Sequence, residues 1–490
     1  MSSTLILLTV AIYSAMLFAV VWFTSRKTNN ESYFIGNRSS NWFLVAYGMI
    51  GASLSGVTFM SVPGAVFTSQ FSYFQMVLGY ILGYMIIAFV LMPVYYKLQL
   101  TSIYTYLEQR FGKVSYKTGS MFFIISRVIG ASFRMYIVIN VLQTFVFDAL
   151  HVPFWVTVLV FILLILLYTY EGGVKTIVIT DTLQTTFMLI ALLSGIWIIL
   201  SGMNISLGDF FSKLFSIANA DGVPYSKIVV TDFKASNFAL KHFLGGAAIA
   251  VAMTGLDQEM MQKNLSCRNI REAQKNMMTF TAVLVVVNFL FLILGAALCM
   301  HAGQHGLTID PKHTDDLFPS VALNHWGAIP AIIFLVGLIS AAYPSADGAL
   351  TALTTAFCFD FLELDKNKKL TEANKKRARY IVHVTFALVL LLTIVIFKLV
   401  NNDAVISSIF KAATLTYGPL LGLYVFGFFT KYKIRDSLVW IPCILSPIIC
   451  YLISNYSAEY LLGYKIGFEL LIVNAGITFL GLLMLKKSNH

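Results

Sequence analysis

Stretches of about twenty apolar residues recur along the chain, and none keeps the strict alternation of a half-buried strand. Each is long enough to cross the ~30 Å hydrocarbon layer as a helix. Inside lipid only helices or closed barrels satisfy their own backbone, so the pattern predicts helices. Thirteen are expected, at about 3–25, 42–67, 73–96, 118–146, 153–170, 176–201, 239–262, 277–301, 328–361, 379–400, 404–430, 437–455 and 465–485. The first has no positive flank before it and is long enough to span, so it is expected to be a retained helix and not a cleaved leader.

Composition fits this all-α integral membrane fold. Of 490 residues 58% are apolar and only 12% charged, more apolar surface than one soluble core buries. The net charge of +11 does not point to nucleic acid, because Lys and Arg gather in alternate loops. One side holds Arg26, Lys27 and Arg38, then Lys97 to Lys117, Lys175, Lys263 to Lys275, Lys366 to Arg379, Lys431 to Arg435, and Lys486 with Lys487. The positive-inside rule puts the N-terminus outside and the C-terminus in the cytoplasm, which an odd number of spans permits.

Two groups of five spans are separated by a mixed-charge outer segment. The expected organisation is a first peripheral helix (1–40), one repeat (41–202), the outer segment (203–238), a second repeat (239–430) and two peripheral helices with a tail (431–490). Five is odd, so the second group enters from the opposite side, the topology of an inverted repeat with ion and solute sites at interrupted helices. Gly48, Gly51, Ser53, Ser55, Gly56, Thr58 and Pro63 mark one lead helix as interrupted, and Gly245, Gly246, Thr254 and Gly255 the other.

Polar residues within the spans are the candidate chemistry. Pro344, Ser345, Asp347, Gly348, Thr351 and Thr355 form a stripe at helical spacing, and an acid beside a helix-breaking Pro at membrane depth points to an ion or solute pathway. Pro344 cannot donate to the Ser340 carbonyl, which is left free for an ion. Asp181 shares a helical face with Thr180, Gln184 and Thr185, oxygen ligands suited to a monovalent cation. Arg127 and Arg134 lie two turns apart on one face, and Lys411 adds a third buried cation. Either these cations pair with Asp181 and Asp347, or their surplus attracts an anionic group such as a carboxylate. The stretch Gly255 to Lys263 reads as an inner loop with a charged rim.

The five cysteines are scattered and read as apolar filler. His301, His305 and His313 lie near one outer loop and read as solvated, with no metal expected beyond sodium. No phosphate loop, nucleophile elbow or metalloprotease motif occurs, so no enzyme is expected. An ion gradient is the natural energy source.

Ordered motifs carry a family resemblance along nearly the whole chain. They are Glu31 to Arg38, Ser55 to Phe59, Thr101 to Phe111, Tyr170 to Gly173 followed by Thr180-Asp181, Asp257-Gln258 with Gln262-Lys263, Glu272 to Lys275, and Tyr417 to Gly422. Together they resemble the sodium:solute symporter family. The resemblance implies a leucine-transporter-type five-plus-five fold and sodium-coupled import of a small organic solute across the plasma membrane, a bacterial inner membrane in this case. It implies the lipid bilayer and that solute as partners, with no obligate protein partner. Its main sodium site looks like Gly51, Leu54, Ala341, position 344 and Ser345, and a further one like Asp181 with positions 344, 347 and 348. Hydroxyl residues usual at 344 and 348 are Pro and Gly here, and the Ser340 carbonyl with Asp347 is expected to compensate. Solute contacts fall on Ser53, Ser55, Thr58, Tyr73 and Ala250, with Met253 as a gate and Arg127 as the carboxylate-binding Arg. Proton coupling through Asp181 and Asp347, or a transporter-like sensor, are the alternatives.

Overall fold

The computed structural model describes residues 3–24, 40–100, 102–169, 174–216, 218, 222–364, 369–400 and 405–487. Among them the chain is helical, with isolated β-bridges such as Ser40 with Cys267. The motifs at Glu31 to Arg38 and Tyr170 to Gly173 lie outside the described residues. The principal helices are α1 (Ser3–Thr24), α2 (Trp42–Ser53), α3 (Gly56–Ser69), α4 (Tyr73–Ile86), α5 (Lys113–Leu142), α6 (Phe154–Thr169), α7 (Val174–Gly202) and α8 (Ala239–Ala250). They continue with α9 (Gln258–Leu265), α10 (Ile270–Gln304), α11 (Ala328–Ala356), α12 (Glu372–Val400), α13 (Val405–Thr416), α14 (Gly418–Phe429), α15 (Trp440–Tyr460) and α16 (Leu470–Met484).

Each of the thirteen expected stretches falls on helix. Among the described residues eight helical runs are long and apolar enough to cross a membrane singly, and two bent pairs, α8–α9 at 66° and α13–α14 at 44°, bring the number to 10. The difference from thirteen lies in short or broken elements: α2, α6 and α16 are short, and the second expected span is two helices, α2 and α3. Large apolar side chains such as Trp22, Leu167, Trp197 and Leu392 are exposed on the outer faces, as lipid contact requires.

Between helices the packing relies on small residues. A Cβ on Gly246 would sit 2.2 Å from the Met76 carbonyl oxygen, and one on Gly79 would sit 2.0 Å from that of Phe243. These glycines let the backbones of α4 and α8 touch. Gly246 therefore serves close approach, and the second lead helix breaks further on, at Leu256 and Asp257. The N-terminus of α5 is capped from far along the chain: Val114 and Ser115 donate their N–H groups to the Asp436 carboxylate at 2.9 and 2.8 Å.

Candidate functional site

The first break follows from two residues leaving helical geometry. Leu54 has φ −83° and ψ 83°, and Ser55 is extended at φ −81° and ψ 178°. Leu54 still donates to Ile50 at 2.7 Å, but the carbonyls of Gly51, Ala52 and Ser53 lose the partners a continuing helix would supply, and none replaces them among the described residues. The second break is closed differently. Tyr95 donates to the Gly255 carbonyl at 3.0 Å and Tyr104 to that of Leu256 at 2.9 Å. The first break has no such side-chain donor to its Gly51, Ala52 and Ser53 carbonyls among the described residues.

Ser345 supplies a further oxygen. It lies on α11, which packs against α2 and α3, and its Oγ is fully buried without a hydrogen-bond partner among the described residues. A buried hydroxyl with no partner is costly unless something else satisfies it. Ala341 lies one turn earlier on the same face, also buried. Backbone carbonyls plus a hydroxyl form the oxygen set a hard monovalent cation takes, so these residues fit sodium.

Beside the break is a small cavity of about 80 Å³, room for a few waters. The sequence-predicted Ser53, Leu54, Ser55, Thr58, Tyr73, Arg127, Arg134, Ala250 and Met253 all line it. Tyr80, Tyr84 and Asn288 also line it and were missed. Tyr73, Tyr80 and Tyr84 form a tyrosine row at helical spacing, the signal that would have found two of them; the Tyr73 and Tyr80 hydroxyls lie 3.4 Å apart.

Lys411 is a correction. Its neighbour Phe410 lines the cavity, but Lys411 is exposed and does not.

The buried charges pair differently from the sequence expectation. Residues Gln258 to Leu265 form no loop; they are the buried helix α9, capped by Asp257, which accepts from the Met260 N–H at 3.2 Å. Arg127 pairs with Glu259 and lies 3.6 Å from Asp257. Tyr417 donates to Asp257 at 3.1 Å. Lys263 bonds Asp181 at 2.7 Å and Glu259 at 3.1 Å. All five charged groups are at most 5% exposed, so removing one partner strands another in low dielectric at a cost of about 3–5 kcal/mol. Arg134 is different: half-buried, it faces the cavity and has no acidic partner among the described residues.

The side chains of two residues expected at the sodium site are engaged elsewhere, although Ser340 was expected through its carbonyl and not its hydroxyl. Ser340 donates its hydroxyl to Tyr13 at 2.8 Å, and Tyr343, on the same side of α11, stacks on Tyr13. Asp347 continues that side and accepts from the Gly348 N–H at 2.5 Å. At 3.6 residues per turn it is about 200° around the helix from Ser345, so the two side chains serve different neighbours. Asp181, expected as a ligand, has one oxygen on Lys263. His301, expected to be solvated, is instead buried against His305 and His325, while His305 and His313 are exposed and His313 is beside Asp310. Among the described residues no group of three or more His, Cys, Asp or Glu is placed to hold a metal.

Residues 33–435 match the sodium:solute symporter family. The chain belongs to that family. It is 24% identical over 466 residues to a sodium/sialic acid symporter of Proteus mirabilis, covering 91% of this chain and 88% of the relative. It is also 24% identical over 418 residues to the human sodium/iodide cotransporter, covering 81% of this chain and 61% of that one. A solved substrate-bound, outward-open structure of a Na+-coupled sialic acid symporter superposes with a TM-score of 0.83 over 99% of both chains at 18% identity, which establishes the shared leucine-transporter-type fold. This symporter is accordingly a multi-pass membrane transporter with sodium as its coupling ion.

Proposed function

We propose that this symporter imports a small carboxylate-bearing organic solute by alternating access, driven by sodium bound at the first helix break. One observation carries the reading: Arg134 lines the cavity without a salt-bridge partner among the described residues, whereas Arg127 pairs with Glu259 and lies beside Asp257. A guanidinium suits bidentate binding of a carboxylate. The carboxylate-binding role expected of Arg127 therefore passes to Arg134, and Arg127 holds the cavity floor. The relatives named for sialic acid and for iodide handle anions, in keeping with a cationic site.

Sodium enters from outside and engages the Gly51 and Leu54 backbone with Ala341 and Ser345. The solute then binds among Ser53, Ser55, Thr58, Tyr73, Ala250 and Arg134, under Met253. Rocking of the two five-helix repeats, 41–202 against 239–430, releases both to the cytoplasm. Sodium drives this step only through its preference for one of the two states. The N-terminus faces outside and the membrane is a bacterial inner membrane. Uptake of labelled sugar acids, amino acids and monocarboxylates into proteoliposomes, with wild type and Arg134→Leu compared under a sodium gradient, tests the reading. Loss of uptake in the variant supports it, and equal uptake of an uncharged solute by both proteins rejects it.

A further inference from the structure

The resemblance implies a second sodium site around Asp181 and positions 344, 347 and 348. The residues present do not fit one. The Asp181 carboxylate is fully buried and one oxygen, Oδ2, already holds a monovalent cation, the Lys263 ammonium, at 2.7 Å, while Oδ1 has no hydrogen-bond partner among the described residues. That ammonium is steered by Glu259, which accepts from it at 3.1 Å one turn earlier on α9. Glu259 in turn fills the space of any side chain at 348: a Cβ on Gly348 would lie 2.2 Å from its Oε1. Pro344 carries no oxygen on its side chain. Asp347 keeps one oxygen on the Gly348 N–H.

Glycine at 348, the acid at 259 and the lysine at 263 thus form one complementary unit. The glycine admits the acid, the acid orients the ammonium and shares Arg127, and the ammonium neutralises Asp181. An ammonium on a tether cannot be released to the other side. A mobile sodium would have to displace it and leave it uncompensated, and a buried unpaired charge is strongly unfavourable.

We propose that Lys263 is a built-in cation that permanently occupies the Asp181 site, so that this symporter carries a single sodium per cycle, at Ser345. The proposal rests on the sodium site described under Proposed function, and the experiment separates the two. Binding of 22Na+ to the full-length protein in nanodiscs is titrated without solute for wild type, Ser345→Ala and Lys263→Met.

Wild type is expected to bind one ion with a Hill coefficient of about 1, against values up to about 2 for two coupled sites. Ser345→Ala is expected to weaken that binding roughly tenfold or more. In Lys263→Met the uncompensated Asp181 carboxylate recruits sodium, so a second ion is bound, and thermal stability gains a dependence on sodium over choline that wild type lacks at the same concentrations. Two ions on wild type, or a Lys263→Met protein that folds and still binds one, overturns the proposal while leaving the sodium site at Ser345 standing. No sodium binding by wild type overturns both.

Discussion

Substituting Gly348 by alanine adds one methyl group to α11 at a point where the structure has no room. The new carbon would sit 2.2 Å from Glu259 Oε1, 2.5 Å from its Cδ and 3.1 Å from its Oε2. A free side chain would swing aside, but this carboxylate is held by Arg127 on one side and Lys263 on the other, all within the buried interior. Overpacking alone costs about 1–3 kcal/mol. If Glu259 is forced off its partners, the cost rises toward about 3–5 kcal/mol as two cations lose their acid. The assay is the apparent Tm of detergent-purified protein by intrinsic fluorescence at a fixed scan rate, where a fall of roughly 5 °C is expected. Gly130→Ala is the control, since a Cβ there meets nothing within 4 Å. In Gly348→Ala with Glu259→Ala the clash is gone, so the double substitution should destabilise by about 1–3 kcal/mol less than the sum of the singles. A Gly348→Ala protein as stable as wild type, or strict additivity in the cycle, refutes the argument that the glycine exists to admit the acid.

Further outcomes are expected at other positions. Arg134→Leu should lower the apparent affinity for carboxylate solutes roughly 10–100-fold, the value of a charge-assisted hydrogen bond, with little change in Tm; Arg127→Leu should instead lower Tm sharply, because Glu259 loses its guanidinium. Lys411→Ala, outside the cavity, should leave uptake unchanged in transport assays. Asp436→Ala should uncap α5 and cost about 1 kcal/mol, seen as a modest drop in Tm.

The apolar spans were legible because membrane burial imposes a simple length rule, and every predicted stretch contains helix among the described residues. The first break was also legible: Gly51, Ser53, Ser55 and Gly56 surround the point at Leu54 and Ser55 where the backbone leaves helical geometry. Asp257 to Lys263 was not. A run of alternating acids, amides and a lysine has the look of a solvated rim, and its burial depends on partners such as Arg127 and Asp181, more than eighty residues away in sequence, that no local pattern names. The same distance effect hid the reason for Gly348, which lies in Glu259. Lys411 misled for the opposite reason: a cation in an apolar span suggests burial, yet its helix turns it outward.

The most direct test of sodium-coupled carboxylate import is accumulation in proteoliposomes of a panel of labelled organic acids, at fixed pH with an inward sodium gradient or with choline in its place. Concentrative uptake of at least one carboxylate only with sodium is the predicted result. Equal accumulation in sodium-free buffer under a proton gradient, or mere downhill equilibration in both conditions, would contradict it.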